Sequence, residues 1–179
     1  MELLIGVTAG IAAYKTAALV SRLVRQGHGV SVIMTPEATH LVGPRTFQAL
    51  TGRPVLVEMF AEGASPIPHI EQARKADLLC VAPATANILG KAANGIADDL
   101  LSTTLLAFDG PVLFAPAMNG VMWKNPAVQR NVAQLQNDGY HFVGPVDGPL
   151  ACGESMPGRM AEPETLASTI EALLQANSR

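Results

Sequence analysis

Residues 3–12 read Leu-Leu-Ile-Gly-Val-Thr-Ala-Gly-Ile-Ala, an apolar run that ends in a turn of small residues. A continuous apolar run of this kind is typical of a strand that is buried on both faces of a parallel sheet. Residues 11–26 then place apolar side chains at helical spacing, and Gly27 is a residue at which helices commonly end. This strand–turn–helix unit predicts an α/β fold.

The same alternation continues along the chain. Further strands are predicted over residues 30–34, 55–57, 77–82, 111–115 and 141–143. Further helices are predicted over residues 46–50, 86–93, 98–107, 126–136 and 163–176. The strand over 77–82 is expected to stop at Pro83. Strands that alternate with helices form a parallel sheet with helices on both faces. We therefore predict a three-layer, doubly wound (Rossmann/flavodoxin-like) α/β fold, with residues 1–179 as a single domain.

Composition excludes several classes of protein. Apolar residues make up 49% of the chain and charged residues 15%, which excludes a disordered chain or a coiled coil. The net charge of −3 provides no basic excess for a phosphate backbone, so we expect no nucleic-acid partner. No apolar run approaches the roughly 20 residues that span a bilayer, and the first residues lack a basic leader, so we expect no membrane association and no signal peptide. The scarcity of charge favours a homo-oligomer.

The cysteine count indicates the compartment. Cys80 and Cys152 are far apart, which suits neither a disulfide framework nor a zinc site, and no other cluster has metal-ligand spacing. We therefore predict no metal and a reducing cytoplasm. Because Cys80 lies within a predicted buried strand, we expect it to be an inert core residue.

Small or polar turns follow four of the predicted strands, at residues 8–10, 35–36, 82–87 and 115–119. In open parallel sheets, ligands bind at the carboxyl ends of the strands, so we expect these turns to converge on one pocket. The first turn opens a helix, where backbone N–H groups and the helix dipole favour a phosphate. A tight turn that only packs the helix is an equally good interpretation.

The sequence of the first turn discriminates between cofactors. It does not spell the G-x-G-x-x-G dinucleotide fingerprint, and the second strand ends in Met34-Thr35 instead of a carboxylate that would hold a ribose. Both features disfavour an NAD(P) dehydrogenase. A mononucleotide with a terminal phosphate, such as FMN, fits better.

Several segments along the chain resemble one known family. They are Gly-Ile-Ala-Ala-Tyr-Lys at 10–15, Pro-His-Ile at 68–70, Ala-Pro-Ala-Thr-Ala-Asn at 82–87, Pro-Ala-Met-Asn-Gly-Val-Met-Trp at 116–123, Ala-Cys-Gly at 151–153 and Gly-Arg-Met at 158–160. Over nearly its whole length the sequence resembles the homo-oligomeric flavin-containing cysteine decarboxylases. The resemblance implies FMN as cofactor and a trimer, or a multiple of trimers, with shared active sites.

The resemblance further implies a reaction, the decarboxylation of 4′-phosphopantothenoylcysteine to 4′-phosphopantetheine in coenzyme A biosynthesis. In that reaction FMN oxidises the cysteinyl thiol, CO2 leaves, and the reduced flavin then reduces the enethiol, with a proton from a cysteine. The resemblance leaves open whether a phosphopantothenate–cysteine ligase is fused to this domain or is a separate partner.

The resemblance assigns residues to the cofactor and to catalysis. Those implied to contact FMN are Thr8, Gly10, Ile11, Thr35, Thr85, Ala86, Asn87, Ser102, Ala117 and Met118. His69 is implied to be the catalytic histidine, and Cys152 the proton donor. The other histidines, which match no motif, are expected to be structural or solvated; they are His28, His40 and His141.

Four residues are implied to bind the substrate. Lys15 and Arg74 are the implied cations for its phosphate, although each equally suits a solvated helix face. Asn119 can offer a carboxylate both a donor and an acceptor, or can serve as a helix cap. Met122 is assigned to the same site, although packing explains it as well.

The segment 144–160 is rich in glycine and proline, which predicts a loop that acts as a mobile flap over the site. Met156 stands where the family usually has glycine. A side chain there disfavours a positive φ, so we expect altered flap closure and an unaltered flavin site.

Three alternative functions predict different sets of site residues. A peptidyl-cysteine decarboxylase of the peptide-antibiotic type stops at the enethiol and needs no cysteine donor, so Cys152 argues against it. A flavin prenyltransferase shares the fold but is expected to have a more basic phosphate pocket and no 116–123 motif. A non-catalytic regulatory or binding relative would not need His69, Asn119 and Cys152 together.

Overall fold

The computed structural model describes residues 1–63, 65–148 and 157–177. Within these ranges the strands are β1 Glu2–Val7, β2 Gly29–Met34, β3 Val55–Leu56, β4 Leu78–Ala84, β5 Val112–Pro116 and β6 His141–Phe142. The helices are α1 Ala13–Arg25, α2 Pro44–Thr51, α3 Pro68–Lys75, α4 Ala86–Ala93, α5 Leu100–Ala107, α6 Gly120–Lys124, α7 Pro126–Asn137 and α8 Pro163–Asn177. A short 3-10 helix, Pro36–His40, follows β2.

The strands form one parallel sheet in the order β3-β2-β1-β4-β5-β6. Leu3 of β1 lies opposite Val30 on one side and Leu78 on the other. The strand order therefore reverses between β1 and β4, and the helices that follow these two strands, α1 and α4, pack on opposite faces of the sheet. A crevice at such a point is the usual ligand site of doubly wound folds. The predicted fold is confirmed.

Both faces of the sheet are buried, which explains the uninterrupted apolar run in β1. Leu3, Ile5 and Val7 pack into one core with α1, α2 and α8, whereas Leu4 packs into a second core with α4, α5 and α7. Each of these four side chains is at most 1% exposed. Because successive side chains of a strand point to opposite faces, a strand between two helical layers has no polar positions.

The prediction that Pro83 stops β4 is wrong, since the strand continues through Pro83 to Ala84. Its pairing with β5 shifts register between Val81 and Ala84, so the ladder does not require an N–H from Pro83. Hydroxyl groups satisfy the displaced carbonyls. The hydroxyl of Thr16 donates to the Ala82 oxygen at 2.7 Å, and that of Thr8 donates to the Pro83 oxygen at 2.7 Å.

Three short elements were not predicted, namely the 3-10 helix, α3 and α6. The 3-10 helix and α6, with five residues each, are too short to show a helical period in the sequence, and all three elements begin at a capping residue or a proline. Thr35 and Asn119 accept backbone N–H groups at the starts of the 3-10 helix and α6, whereas Pro68 opens α3.

Ion pairs connect distant parts of the chain. Arg53, two residues before β3, binds Glu2 with an Nη2–Oε1 distance of 3.1 Å. Lys15 of α1 binds Glu162, just before α8, with an Nζ–Oε1 distance of 2.9 Å. The hydrogen bond from Arg53 lowers the pKa of Glu2 below its ordinary value of 4.5, and that from Lys15 does the same for Glu162.

We expect the free energy of unfolding to fall as the pH is lowered from about 5 to about 3, by about 1–2 kcal/mol for these two half-exposed pairs. A carboxylate whose pKa is lower in the folded state stabilises the fold above its unfolded pKa. That stability is lost as the pH falls through the folded pKa. Urea unfolding followed by circular dichroism at each pH measures the change, and the double variant Glu2→Gln/Glu162→Gln is the control that should lose most of it. An equally steep loss in that variant would contradict the assignment.

Candidate functional site

Two adjoining cavities lie at the carboxyl ends of β1, β2, β4 and β5. Their volumes are about 560 Å³ and about 520 Å³, each within the range of small-molecule sites. They share Ala9, Thr85, Ala86 and Met122 as lining residues. The turns that follow these four strands therefore converge, as predicted, and they line these two adjoining cavities.

The first, which we call the apolar cavity, has a wall of apolar side chains and a few polar groups. Its apolar lining includes Ile11, Met118 and Met122, and Lys15 and Arg159 contribute positive charge. The residues assigned from sequence that line it are Gly10, Ile11, Lys15, Thr85, Ala86, Ala117, Met118, Asn119 and Met122. Such a cavity suits a flat, largely apolar ligand.

The second, which we call the polar cavity, contains hydroxyl and charged groups. The residues assigned from sequence that line it are Thr8, Thr35, Thr85, Ala86, Asn87 and Met122. Lys91 joins two carboxylates in its wall, with Nζ at 2.6 Å from Asp98 Oδ1 and 2.7 Å from Asp99 Oδ2. Burial by itself raises the pKa of Asp99, but hydrogen bonds from Lys91 and the Ser102 N–H outweigh it and lower that pKa.

Threonine hydroxyls set the shape of the turns between the cavities. The Thr8 hydroxyl, held by the Pro83 carbonyl, accepts the Thr85 N–H at 3.3 Å. The Thr85 hydroxyl accepts the Ile88 N–H at 3.4 Å and so caps α4. The turns after β1 and β4 are thus hydrogen-bonded to each other.

Two glycines allow backbone segments to approach closely at the apolar cavity. A Cβ on Gly10 would lie 3.1 Å from the Pro83 ring, and one on Gly158 would overlap the carbonyl oxygen of Met118. The Met118 N–H also donates to the Gly158 oxygen at 2.9 Å. The end of the 144–160 segment is therefore packed directly against the turn after β5.

Several of the assigned residues line neither cavity. His69 and Arg74 both lie on α3, and Arg74 is exposed. The Nδ1 atom of His69 is buried and has no hydrogen-bond partner within the described part of the chain. Ser102 is buried, and its hydroxyl accepts the Asp99 N–H at 3.1 Å in a capping box at the start of α5. Cys152 and Met156 lie outside the described residues.

Cys80 is fully buried in β4, as predicted. Desolvation raises the pKa of its thiol to about 12. A thiol of this kind is not a reactive nucleophile.

The donor set and the cavity walls fit FMN. The N-cap of α1 is Ala12, whose side chain caps no N–H, and the first turn of α1 carries no acidic residue. The first turn of α4 likewise carries none. These two helix starts and the neighbouring threonines suit a phosphate and a polar chain. The apolar wall of Ile11, Met118 and Met122 suits a planar ring system.

Sequence reasoning left some site residues unassigned. Asp99, which lines the polar cavity, stands three residues before Ser102 in the spacing of a capping box, a signal that the sequence does contain. Arg159 lies in one of the matching segments, but the resemblance assigned no role to it. Glu162, which binds Lys15 from 147 positions away, has no sequence signal at all.

No group of three or more His, Cys, Asp or Glu side chains in the described part of the chain is arranged to hold a metal ion. None of the helices described is long and apolar enough to cross a membrane.

Known proteins resemble the chain in sequence and in structure. The sequence model described as Flavoprotein matches residues 1–175. The coenzyme A biosynthesis bifunctional protein CoaBC of Bacillus subtilis is 52% identical over 171 residues, which are 95% of this chain and 42% of that protein. The chain thus spans less than half the length of the curated relatives that it matches.

Two solved structures cover almost the same length as this chain. The FMN-dependent cysteine decarboxylase SpaF is 36% identical with a TM-score of 0.88, covering 100% of this chain and 98% of its own. A PPC decarboxylase mutant complexed with pantothenoylaminoethenethiol is 30% identical with a TM-score of 0.86, covering 97% and 98%.

Proposed function

The chain belongs to the Flavoprotein family, and from this premise we propose that it is an enzyme that binds FMN and decarboxylates 4′-phosphopantothenoylcysteine to 4′-phosphopantetheine. The observation that carries the proposal is the pair of connected cavities, one apolar and one polar, where the 82–87 and 116–123 segments meet. The similarity to CoaBC and to the PPC decarboxylase structure supports this substrate over other thiols.

The proposed cofactor contacts divide between the cavities. Thr8, Thr35 and Asn87 would hold the polar chain and phosphate of FMN together with the start of α4. Ser102 would contribute indirectly, because its capping box with Asp99 fixes the start of α5. The proposed contacts of the ring system line the apolar cavity; they are Gly10, Ile11, Thr85, Ala86, Ala117 and Met118. Bound FMN supplies a two-electron acceptor and donor.

Asn119 and Met122 are the proposed substrate contacts within the same cavity. The Asn119 Oδ1 atom accepts the Val121 N–H at 2.8 Å, which orients the amide at the start of α6. An amide nitrogen in this orientation is a suitable donor for the substrate carboxylate. Lys15, at the cavity wall, is a proposed cation for the substrate phosphate.

His69 and Arg74 are proposed to act in the cavity of a neighbouring subunit. Apolar side chains surround the apolar cavity and are exposed, Ile11 at 65%, Tyr14 at 63% and Val121 at 65%. Exposed apolar groups of this kind favour an interface between copies. We propose a trimer, or a multiple of trimers, in which α3 of one subunit completes the site of the next.

The wider setting is also a proposal. The CoaBC relatives are bifunctional proteins that extend beyond the matched region, so a phosphopantothenate–cysteine ligase is the proposed fused or separate partner. Coenzyme A biosynthesis is then the proposed pathway and the cytoplasm the proposed location.

A second candidate function is oxidative decarboxylation of a peptidyl cysteine. The similarity to SpaF, an FMN-dependent cysteine decarboxylase, favours it. That reaction ends at the enethiol, so the two candidates differ by two hydrogens in their product.

Mass spectrometry of 4′-phosphopantothenoylcysteine incubated with the flavin-loaded protein tests the proposal. We expect a product that lacks CO2 alone, because oxidation and reduction cancel. A product that lacks CO2 and two hydrogens would favour the peptide-type reaction. Unchanged substrate would overturn the proposed substrate and favour a different thiol or a regulatory role.

Replacing Cys152 by serine is expected to preserve flavin binding and CO2 release, and to lower formation of saturated product by about 10²-fold or more. A hydroxyl is a much weaker acid than a thiol, so the enethiol should accumulate. The same mass spectrometric assay measures both products. Cys80→Ala is the control, because Cys80 is buried in β4 and lines neither cavity. Saturated product at the normal rate in Cys152→Ser would remove Cys152 from the reaction.

A further inference from the structure

One carboxylate oxygen joins two cations at the wall of the apolar cavity. The Oε1 atom of Glu162 lies 2.9 Å from Lys15 Nζ and 2.5 Å from Arg159 Nη2. The two nitrogens are therefore no farther apart than the sum of these distances. Lys15 and Arg159 both line the apolar cavity, whereas Glu162 stands behind them and does not.

The three residues come from two parts of the fold, α1 and the segment that precedes α8. Lys15 lies in α1, and its side chain is only 8% exposed. Glu162 immediately precedes α8. Arg159 is held by its backbone, since it exchanges N–H···O bonds with Val146 at 2.8 and 3.2 Å. Glu162 is thus the group that ties the side chains of Lys15 and Arg159 to each other.

The arrangement differs from a simple ion pair. One carboxylate balances one cation, so the cluster keeps a single positive charge at the cavity wall. Two cations this close repel each other, and the shared oxygen offsets that repulsion. Hydrogen bonds from Lys15 and the charge of Arg159 lower the pKa of Glu162, so it stays ionised at neutral pH. Two converging cations suit an anion that carries two charges, such as a phosphomonoester.

We propose that Glu162 is a positioning residue that holds Lys15 and Arg159 together as one subsite for the phosphomonoester end of the substrate. Arg159 is then a substrate-binding residue that the motifs left without a role. The inference rests on the proposed function, because that function defines the substrate with a phosphate at one end.

Two possible roles of Glu162 predict opposite effects of its removal on substrate binding. If Glu162 only competes with the substrate for Lys15, its removal increases the positive charge of the wall and tightens binding. If it positions the cations, its removal lets Arg159, which is 36% exposed, turn toward solvent and weakens binding. The two roles therefore predict opposite signs.

The test is Glu162→Gln in the flavin-loaded protein, with 4′-phosphopantothenoylcysteine and unphosphorylated pantothenoylcysteine as substrates. We expect KM for the phosphorylated substrate to rise about tenfold, with little change in kcat and little change in KM for the unphosphorylated one. Glu162→Asp, which retains the charge, should restore part of the loss. Glu164→Gln is the matched control, because Glu164 pairs with Arg22 at 2.8 Å and neither residue lines a cavity.

The affinities for 4′-phosphopantetheine and for pantetheine, measured by calorimetry, test this inference independently of the proposed function. We expect the protein to prefer the phosphorylated compound, and Glu162→Gln to lose that preference about tenfold, whether or not turnover is observed. A preference that is unchanged or stronger in Glu162→Gln would overturn the positioning role. Equal binding of both compounds by the unaltered protein would overturn the subsite. Absence of CO2 release with the preference intact would instead count against the proposed function alone.

Discussion

Replacing His69 by asparagine is expected to lower decarboxylation by about 10²- to 10⁴-fold, the usual contribution of a general acid–base residue, with flavin bound in unchanged stoichiometry. Imidazole gains and loses a proton near neutral pH, and an amide of similar size does not. His69 lies on α3 and lines neither cavity, so the flavin site of its own subunit should be intact. Flavin absorbance and CO2 release measure the two properties separately. Full activity of His69→Asn would remove this residue from the mechanism.

Subunit mixing tests where His69 acts. Asn119→Ala damages the cavity side of the site, whereas His69→Asn damages the side that we propose comes from a neighbour. If sites are shared, co-assembly of equal amounts of these inactive variants restores about a quarter of the sites, since each interface draws one residue from each subunit at random. Each variant alone is the control. If His69 serves its own subunit, no mixture regains activity.

Replacing Gly158 by alanine is expected to lower flavin affinity at least about tenfold and stability by about 1–3 kcal/mol, the usual cost of overpacking. The added methyl group would overlap the carbonyl oxygen of Met118, and a backbone atom cannot rotate away. Relief requires the turn after β5 to move, and that turn carries Ala117, Met118 and Asn119 into the apolar cavity. Flavin titration and thermal unfolding measure the two losses.

Gly90→Ala is the matched control for this prediction. Gly90 lies within α4, and a Cβ there meets only the Asn131 side chain, at 3.5 Å. Because alanine favours a helix interior over glycine, we expect Gly90→Ala to be as stable as the unaltered protein or more so. If Gly158→Ala bound flavin as well as Gly90→Ala does, the close packing at Met118 would not matter for the cofactor.

Much of the fold follows from local patterns. The apolar run of β1 and the turn after it predict a strand between two helical layers, and the structure buries Leu3, Leu4 and Ile5 accordingly. The 3-10 helix and α6 were missed because five residues are too few to show a helical period. The path of β4 through Pro83 was missed for a different reason, since the hydroxyls that satisfy its displaced carbonyls come from Thr8 and Thr16, far away in sequence.

The candidate site, like the fold, was predictable from the sequence only in part. Turns such as 82–87 and 115–119 are predictable, because parallel strands bring their carboxyl ends to one edge of the sheet. The place of His69 relative to the cavities is not predictable from its motif, since α3 packs against α5 and none of its residues lines either cavity.

By itself the sequence determined the layers, the edge of the sheet where ligands bind and the residue types in the turns there. Each of these depends on contacts between near neighbours in the chain or on the general rule for parallel strands. Only the tertiary structure decided that there are two cavities, that Gly158 packs on Met118 and that Glu162 joins Lys15 to Arg159. A contact across 147 positions depends on how α8 packs against α1, and no periodicity within either segment encodes that packing.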